Sequence, residues 1–384
     1  MKIMIVSPHL CYGGAERVAV CLANGFVEAG HEVIMVANLF DPITYSLDDR
    51  IIKLNLMKSN ANIIKKWLPT FLLLRKYIKE QKPDVILGIM DTVSLIAKIA
   101  SIGLSVPVVM TEHSCLDWPK YVHCSWLKHF LKFDVKRIHD FVTILTEADR
   151  PFVEKYNKNI KVMPNPLALV PVKEVEHKDN VIVAAGRIPV WHYKGFDILI
   201  QAWSKIARKY PDWKLEIAGK DDDYKPLVEK TIDNNSSAQI KALTANARML
   251  VKDNEWLINE GRLEFLGFRE DIGEVMKHSA IFVLSSRYEG FGLVLIEAMS
   301  QGCACIAADY KGRQSEIITS SEEGITIEPE NADAMATALE KVISDKEYRE
   351  RIQQGAIKRS NYYTIENCIK RWEDYLQNVV LHVG

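Results

Sequence analysis

Three stretches carry residue types that could do chemistry together. In Ser285-Ser286-Arg287-Tyr288-Glu289-Gly290-Phe291-Gly292-Leu293-Val294-Leu295-Ile296-Glu297, an apolar run enters a glycine loop and a helix opens near Gly292. Free backbone N–H groups with positive partial charge then point out of the helix start, an arrangement that binds anions. Glu289 and Glu297 are eight residues apart; on one continuous helix they would stand roughly 80° and about 12 Å apart. That spacing suits two separate acceptors for sugar hydroxyls better than a hydrolytic carboxylate pair. The second stretch, Ala184-Ala185-Gly186-Arg187 with Lys194-Gly195, supplies two cations seven residues apart after an apolar run. Arg187 offers a planar fork and Lys194 a point charge, a combination suited to a diphosphate. The third, Gly13-Gly14 after Lys2–Pro8, is by itself equally a tight turn or a phosphate contact.

These stretches need elements that hold them at strand ends. Lys2–Pro8, a helix from Ala15 to Ala29 stopped by Gly30, and Glu32–Ala37 read as a βαβ opening. Apolar runs at Val85–Ile89, Val106–Met110 and Val142–Thr146 alternate with helical patterns, as a parallel doubly wound sheet requires. Met163-Pro164-Asn165-Pro166 interrupts the pattern, which restarts with strands at Val181–Ala185, Lys214–Ala218 and Ala280–Ser285. Two tandem α/β domains follow, the first over 1–165 and the second over 166–362, with a helix in 363–384 returning to the first domain. Ligands of such sheets bind at the carboxyl ends of strands, so a cleft between the two sheets is the expected site. Segment 221–262 reads as an enlarged helical connection with a polar interruption.

Composition narrows the class. The 384 residues carry a net charge of −1 and are 48% hydrophobic, which fits a folded protein and excludes one that binds nucleic acid by bulk charge. Residues 1–170 carry +5 and the remainder −6, so the amino half is the one suited to an acidic partner. Seven cysteines show neither a disulfide framework nor zinc spacing, which points to a reducing cytoplasm. No run reaches the roughly 18 apolar residues of a spanning helix, and the apolar start is too short for a signal peptide.

Glu289-x7-Glu297, with Gly186-Arg187, Lys194-Gly195, Leu266-Gly267 and Gly13-Gly14-Ala15-Glu16-Arg17, resembles the family 4 retaining glycosyltransferases of GT-B fold, two Rossmann-like domains facing a central cleft. The run from Asp91-Thr92 through Thr111-Glu112-His113-Ser114 is similar to members that extend lipid-diphosphate-linked oligosaccharides, such as bacterial N-acetylgalactosaminyltransferases. The resemblance implies transfer of a hexose or N-acetylhexosamine from a nucleoside diphosphate, with UDP expected, to a glycan acceptor on a polyprenyl diphosphate in surface polysaccharide or glycan assembly. It implies that Glu297 binds the ribose hydroxyls, Glu289 the transferred sugar, Arg187 and Lys194 the diphosphate, assisted by the amides of Phe291, Gly292 and Leu293. Gly14 would approach the phosphates and His113 the anomeric carbon. Acceptor choice would lie around Tyr12 and His113–Trp118.

No metal or other cofactor is expected. Asp221-x-Asp223 spells a short acidic metal motif but sits in a charged loop. Asp309-Tyr310-Lys311-Gly312 stands where many relatives carry Gly-Gly or Gly-Pro, so the amides there are expected to be arranged differently. Cys303 and Cys305 read as core. Segments 63–76 and 125–139 mix lysines with Trp67, Phe71, Trp126, Phe130 and Phe133; Lys128, Lys132 and Lys136 fall at i, i+4, i+8 on one helical face. Basic and apolar groups side by side suit an anionic bilayer surface as well as they suit a helix packed on its own sheet. The combined expectation is a peripheral enzyme at the cytoplasmic membrane face. A glycan phosphorylase, a sugar-nucleotide epimerase or a non-catalytic nucleotide-sugar-binding subunit are the alternatives.

Overall fold

The computed structural model describes every residue except 12, 58–66, 119–124, 222–242 and 383–384. Tyr12, residues 63–66 of the first basic segment and Asp223 therefore lie outside the described residues. The chain divides into two compact units, Met1–Ala168 with Tyr363–Gly384, and Leu169–Tyr362.

The first unit is built on a parallel sheet of seven strands in the order β3-β2-β1-β4-β5-β6-β7. These are β1 (Lys2–Val6), β2 (Glu32–Ala37), β3 (Ile52–Asn55), β4 (Val85–Ile89), β5 (Val108–Thr111), β6 (Phe141–Ile144) and β7 (Ile160–Val162). All five residues of β4 are buried, which explains why the strand is apolar throughout rather than alternating. Helices α1 (Gly14–Glu28), α2 (Trp67–Gln81), α3 (Asp91–Ser101) and α4 (Trp126–Lys132) belong to this unit. So does the terminal helix Ile365–Leu381. A Cβ at Gly25 of α1 would come within 2.7 Å of Ile365 and Ile369, so the two helices approach at a point only glycine permits. His31 Nε2 meets Glu373 Oε1 at 2.8 Å beside that contact.

The second unit has six parallel strands in the order β10-β9-β8-β11-β12-β13. They are β8 (Asp179–Ala185), β9 (Lys214–Ala218), β10 (Leu263–Gly267), β11 (Ser279–Leu284), β12 (Ala304–Ala308) and β13 (Ile325–Ile327). Its core centres on Trp203, Leu215, Ile281 and Leu339, each 0% exposed. Cys303 and Cys305 are also fully buried. Of the 221–262 connection, the helices Ala245–Val251 and Glu255–Asn259 are described. Both sheets cross between a central pair of strands, β1 with β4 and β8 with β11, the point at which doubly wound sheets open a crevice at their carboxyl ends.

Candidate active site

In the second unit the two candidate loops leave the adjacent strands β8 and β11 and are bonded to each other. Gly195 has φ +64°, and a Cβ there would stand 1.9 Å from the Ser285 carbonyl oxygen. Glycine is therefore required both by backbone conformation and by the close approach of the second loop. Ser285 Oγ donates to the Lys194 carbonyl at 2.8 Å. Arg287 completes the join: its guanidinium forms a bidentate pair with Asp197 at 2.7 Å for both bonds, donates to Glu330 Oε1 at 2.9 Å, and donates to the His192 carbonyl at 2.9 Å. The pairing with Asp197 raises the Arg287 pKa against the opposing effect of burial.

This zipper brings Lys194 and Glu289 together, Nζ to Oε2 at 2.8 Å, with side chains 25% and 16% exposed. Ser286 Oγ donates to the same oxygen at 3.2 Å. Arg187 follows β8, is exposed, and makes no hydrogen bond or ion pair among the described residues. Gly292 takes φ +93° and starts the helix Leu293–Ser300, so the loop turns sharply into a helix of eight residues. Phe291 is buried beneath it, and Glu297, on the same helix, is 1% exposed. The 309–316 loop lies against this one: Gln314 Nε2 donates to the Phe291 carbonyl at 3.4 Å. In place of a glycine pair, Lys311 and Gly312 both adopt left-handed conformations, φ +55° and +86°.

Gly14 and His113 lie in the first unit. Gly14 opens α1, preceded by Gly13, where a Cβ would fall 1.9 Å from Glu16 Oε2. The Glu16 carboxylate is thus folded back over the helix start, and His9 Nε2 meets its other oxygen at 3.0 Å. His113 follows β5 and has both ring nitrogens engaged, Nε2 with Thr111 Oγ1 at 2.9 Å and Nδ1 with Asn165 Oδ1 at 3.1 Å. Burial pushes its pKa down to about 4, so at neutral pH the ring is an uncharged imidazole.

Sequence reasoning missed the group beneath His113. Glu112 is 1% exposed, and its carboxylate receives Lys132 Nζ at 2.6 Å and Lys136 Nζ at 3.1 Å. Asp91 stands within 3.4 Å of Lys132 and 3.3 Å of Lys136. Burial alone would raise the Glu112 pKa, but the two ammonium groups overcome it and hold the carboxylate well below its usual range. Glu112 Oε1 also accepts the backbone N–H groups of His113 and Ser114, at 3.1 and 3.0 Å, so the cluster fixes the loop that carries His113. This corrects the expected basic face of 125–139. α4 ends at Lys132, a 3₁₀ turn spans Asp134–Ile138, and Lys132 and Lys136 are buried ion-pair partners rather than surface groups. The signal available in the sequence was an acid just past each of two apolar strands, Asp91 after β4 and Glu112 after β5.

Asp221 is buried and accepts from Asn246 Nδ2 at 2.8 Å and from the Thr244 hydroxyl. It ties the connection to the helix Ala245–Val251. Among the described residues, no group of three or more His, Cys, Asp or Glu stands together so as to hold a metal ion. No helix there is long and apolar enough to cross a membrane.

Two Rossmann-like parallel-sheet units with glycine loops at their strand ends define the GT-B class of glycosyltransferases. Residues 12–169 match Glycosyltransferase Family 4 and residues 169–359 match Glycosyl transferases group 1; the chain belongs to this family and is a hexosyltransferase-type enzyme. It is 25% identical over 367 residues to an uncharacterized glycosyltransferase of Haemophilus influenzae, covering 95% of this chain and 96% of that one. It is 24% identical over 380 residues to the Campylobacter jejuni α-1,4-N-acetyl-D-galactosaminyltransferase named for the acceptor GalNAc-α-(1→4)-GalNAc-α-(1→3)-diNAcBac-PP-undecaprenol, covering 97% of each. The structure of Anabaena HepE in complex with UDP superposes with a TM-score of 0.72 at 18% identity, over 98% of this chain and all of that one.

Proposed function

We propose that this chain is a retaining glycosyltransferase that moves a hexose or N-acetylhexosamine from a UDP-sugar to a glycan carried on a polyprenyl diphosphate. The observation that carries the reading is the half-open Lys194–Glu289 pair beside the exposed Arg187, held at adjacent strand ends by the Arg287 zipper. A diphosphate draws Lys194 from Glu289 and gains Arg187, while the released carboxylate accepts hydroxyls of the donor sugar. In the reaction the bond between the anomeric carbon and the phosphate oxygen breaks. The acceptor hydroxyl attacks from the same face, and its proton passes to the departing phosphate oxygen. Charge grows on that phosphate in the transition state, so Arg187, Lys194 and the start of the helix Leu293–Ser300 act where electrostatic stabilisation accelerates chemistry. No metal is required in this scheme.

The lipid-linked acceptor is supported by the substrate for which the Campylobacter relative is named, and UDP by the ligand of the Anabaena structure. Docking at the cytoplasmic face of a membrane is supported by exposed apolar side chains in the basic unit, Leu68 and Leu72 on α2 and Trp126, Leu127 and Phe130 on α4. The test is calorimetric titration with UDP, GDP and ADP in EDTA. UDP binds selectively, and Arg187→Ala, an exposed position, weakens it about tenfold, the loss of one charge-assisted contact. Absence of nucleotide binding to the folded wild type, or unchanged affinity in the variant, overturns the reading.

A further inference from the structure

At the β13 edge of its sheet, the second unit holds a cavity of about 700 Å³ bounded by β13, the 315–324 segment and the helix Ala332–Ser344, within the roughly 300–1,000 Å³ range of small-molecule sites. Tyr348, from the next helix, Lys346–Ser360, forms part of the wall. This residue is only 8% exposed, yet its hydroxyl makes no hydrogen bond among the described residues. A polar side chain so buried ordinarily has a partner. The Lys341 ammonium, also on the wall, stands 4.2 Å from the Tyr348 ring centroid and makes no ion pair or hydrogen bond among the described residues. The Arg351 guanidinium adds a second positive group 5.2 Å from the same centroid.

Which groups of the lining are already committed decides the occupant. Ser315 Oγ donates to Asp309, Thr319 Oγ1 to Glu323 and Thr337 Oγ1 to the Asp333 carbonyl, so those three hydroxyls have no proton to offer. Lys341, Tyr348, Ser320, Ser321 and Thr326 keep theirs among the described residues. Thr326 adds a main-chain donor. Ile327 O accepts from Asp309 N on the β12 side, and main-chain groups alternate along a strand, so the Thr326 N–H points off the sheet edge. No carboxylate lines the cavity. Its one aromatic ring is packed into the core and faced by Lys341, which leaves no open face on which a neutral sugar could stack. Such a wall of uncommitted donors suits an anion, and the three terminal oxygens of a phosphomonoester use more of them than the two of a carboxylate. The Ser320, Ser321 and Thr326 hydroxyls and the apolar Ile318 and Ile327 extend past what a bare phosphate fills. We propose that this cavity binds a sugar phosphate, with the phosphate held by Lys341 and Tyr348, as an anion site separate from the loops that follow β8 and β11. The proposal does not depend on the glycosyl-transfer reading above.

The experiment is calorimetric titration of the full chain with glucose 6-phosphate and N-acetylglucosamine 6-phosphate, each alone and with excess UDP. Glucose, glucuronate and inorganic phosphate are titrated for comparison. At least one sugar phosphate binds saturably, equally well with and without UDP, and about tenfold more tightly than any of the three comparison ligands. Lys341→Met, at an exposed position, weakens it about tenfold, the loss of one charge-assisted contact. Tyr348→Phe, which keeps the packed ring, weakens it about threefold, and Arg187→Ala leaves it unchanged. Absence of binding by both sugar phosphates, equal binding of any comparison ligand, or unchanged affinity in Lys341→Met overturns the proposal. Competition by UDP, or loss of binding in Arg187→Ala, would assign the anion to the loops that follow β8 and β11 and overturns it as well.

Discussion

Two lysine–carboxylate pairs in this chain have similar geometry and opposite consequences. Lys194 and Glu289 meet at 2.8 Å with side chains 25% and 16% exposed, whereas Lys136 and Glu112 meet at 3.1 Å with side chains 0% and 1% exposed. Near water the attraction is weak, and each partner can be re-solvated or handed to a ligand. In the interior neither can leave without stranding a charge in a poor dielectric. The loops that follow β8 and β11 therefore hold a pair that can exchange, Lys194 with Glu289, and the loop bearing His113 is fixed by pairs that cannot.

The sharpest way to break that contrast is to delete one member of each pair. Lys136→Met leaves Glu112 and Asp91 facing Lys132 alone, and the expected loss is about 3–5 kcal/mol, the usual result of removing one partner of a buried pair. The readout is urea unfolding followed by two probes, because a chain of two units need not unfold in one step. Lys194→Met is expected to change stability by less than about 1 kcal/mol while lowering nucleotide affinity. Equal stability losses in the two variants would remove the distinction.

Acid supplies the next largest effect, again confined to the first unit. His113 titrates near 4 in the folded chain because burial disfavours its charged form, against 6.5 in its ordinary state. Between those values the unfolded chain binds more protons than the folded one, so stability falls as pH falls, by up to about 3 kcal/mol. Glu112, held well below the usual carboxylate range, acts in the same direction: its contribution is present above the unfolded carboxylate value and is lost as pH drops toward its folded one. Thermal unfolding of wild type and His113→Gln across pH 7 to 4.5 checks this. The variant should lose the steeper part of the dependence, and parallel curves would remove His113 as its source.

The same contrast explains what the sequence made legible. Strands such as β1, β4 and β11 were readable because full burial demands unbroken apolar runs, and the Glu289–Glu297 loop was readable because its residues are neighbours in the chain. The charge cluster was not, because its members come from positions 91, 112, 132 and 136, and the helical period that seemed to align the lysines ends at Lys132, where the chain tightens into a 3₁₀ turn. Arg287 was visible as a residue but not as a clamp, since its partners Asp197 and Glu330 are 90 and 43 positions away. Pairing between distant charges leaves no local pattern to read.

Arg287→Lys tests whether the exchangeable pair depends on its frame. Lysine keeps the charge but cannot make the bidentate fork to Asp197 while also reaching Glu330 and the His192 carbonyl. Loosening the two loops should misplace Lys194 relative to Glu289 and weaken UDP by about three- to tenfold, with a stability change of no more than about 1 kcal/mol. Unchanged affinity would show that the loops hold their spacing through Ser285 and Gly195 alone.

The smallest expected change in stability belongs to α4, whose two ends behave differently. Lys132 closes the helix inside the charge cluster, yet Trp126 at its start is 79% exposed and Phe130 46% exposed. A side chain so open contributes little to folding, so Trp126→Ser should alter stability by no more than about 0.5 kcal/mol. If the exposed apolar face of α4 docks on a bilayer, the same change should reduce co-sedimentation with phosphatidylglycerol vesicles and leave UDP binding intact. With Lys132 and Lys136 withdrawn into ion pairs, such docking has to rest on apolar insertion with Lys128 as the exposed cation of this helix. Vesicle binding should then persist at high salt more than a polybasic surface would allow, and binding abolished by salt but indifferent to Trp126 would assign the contact to another part of the chain.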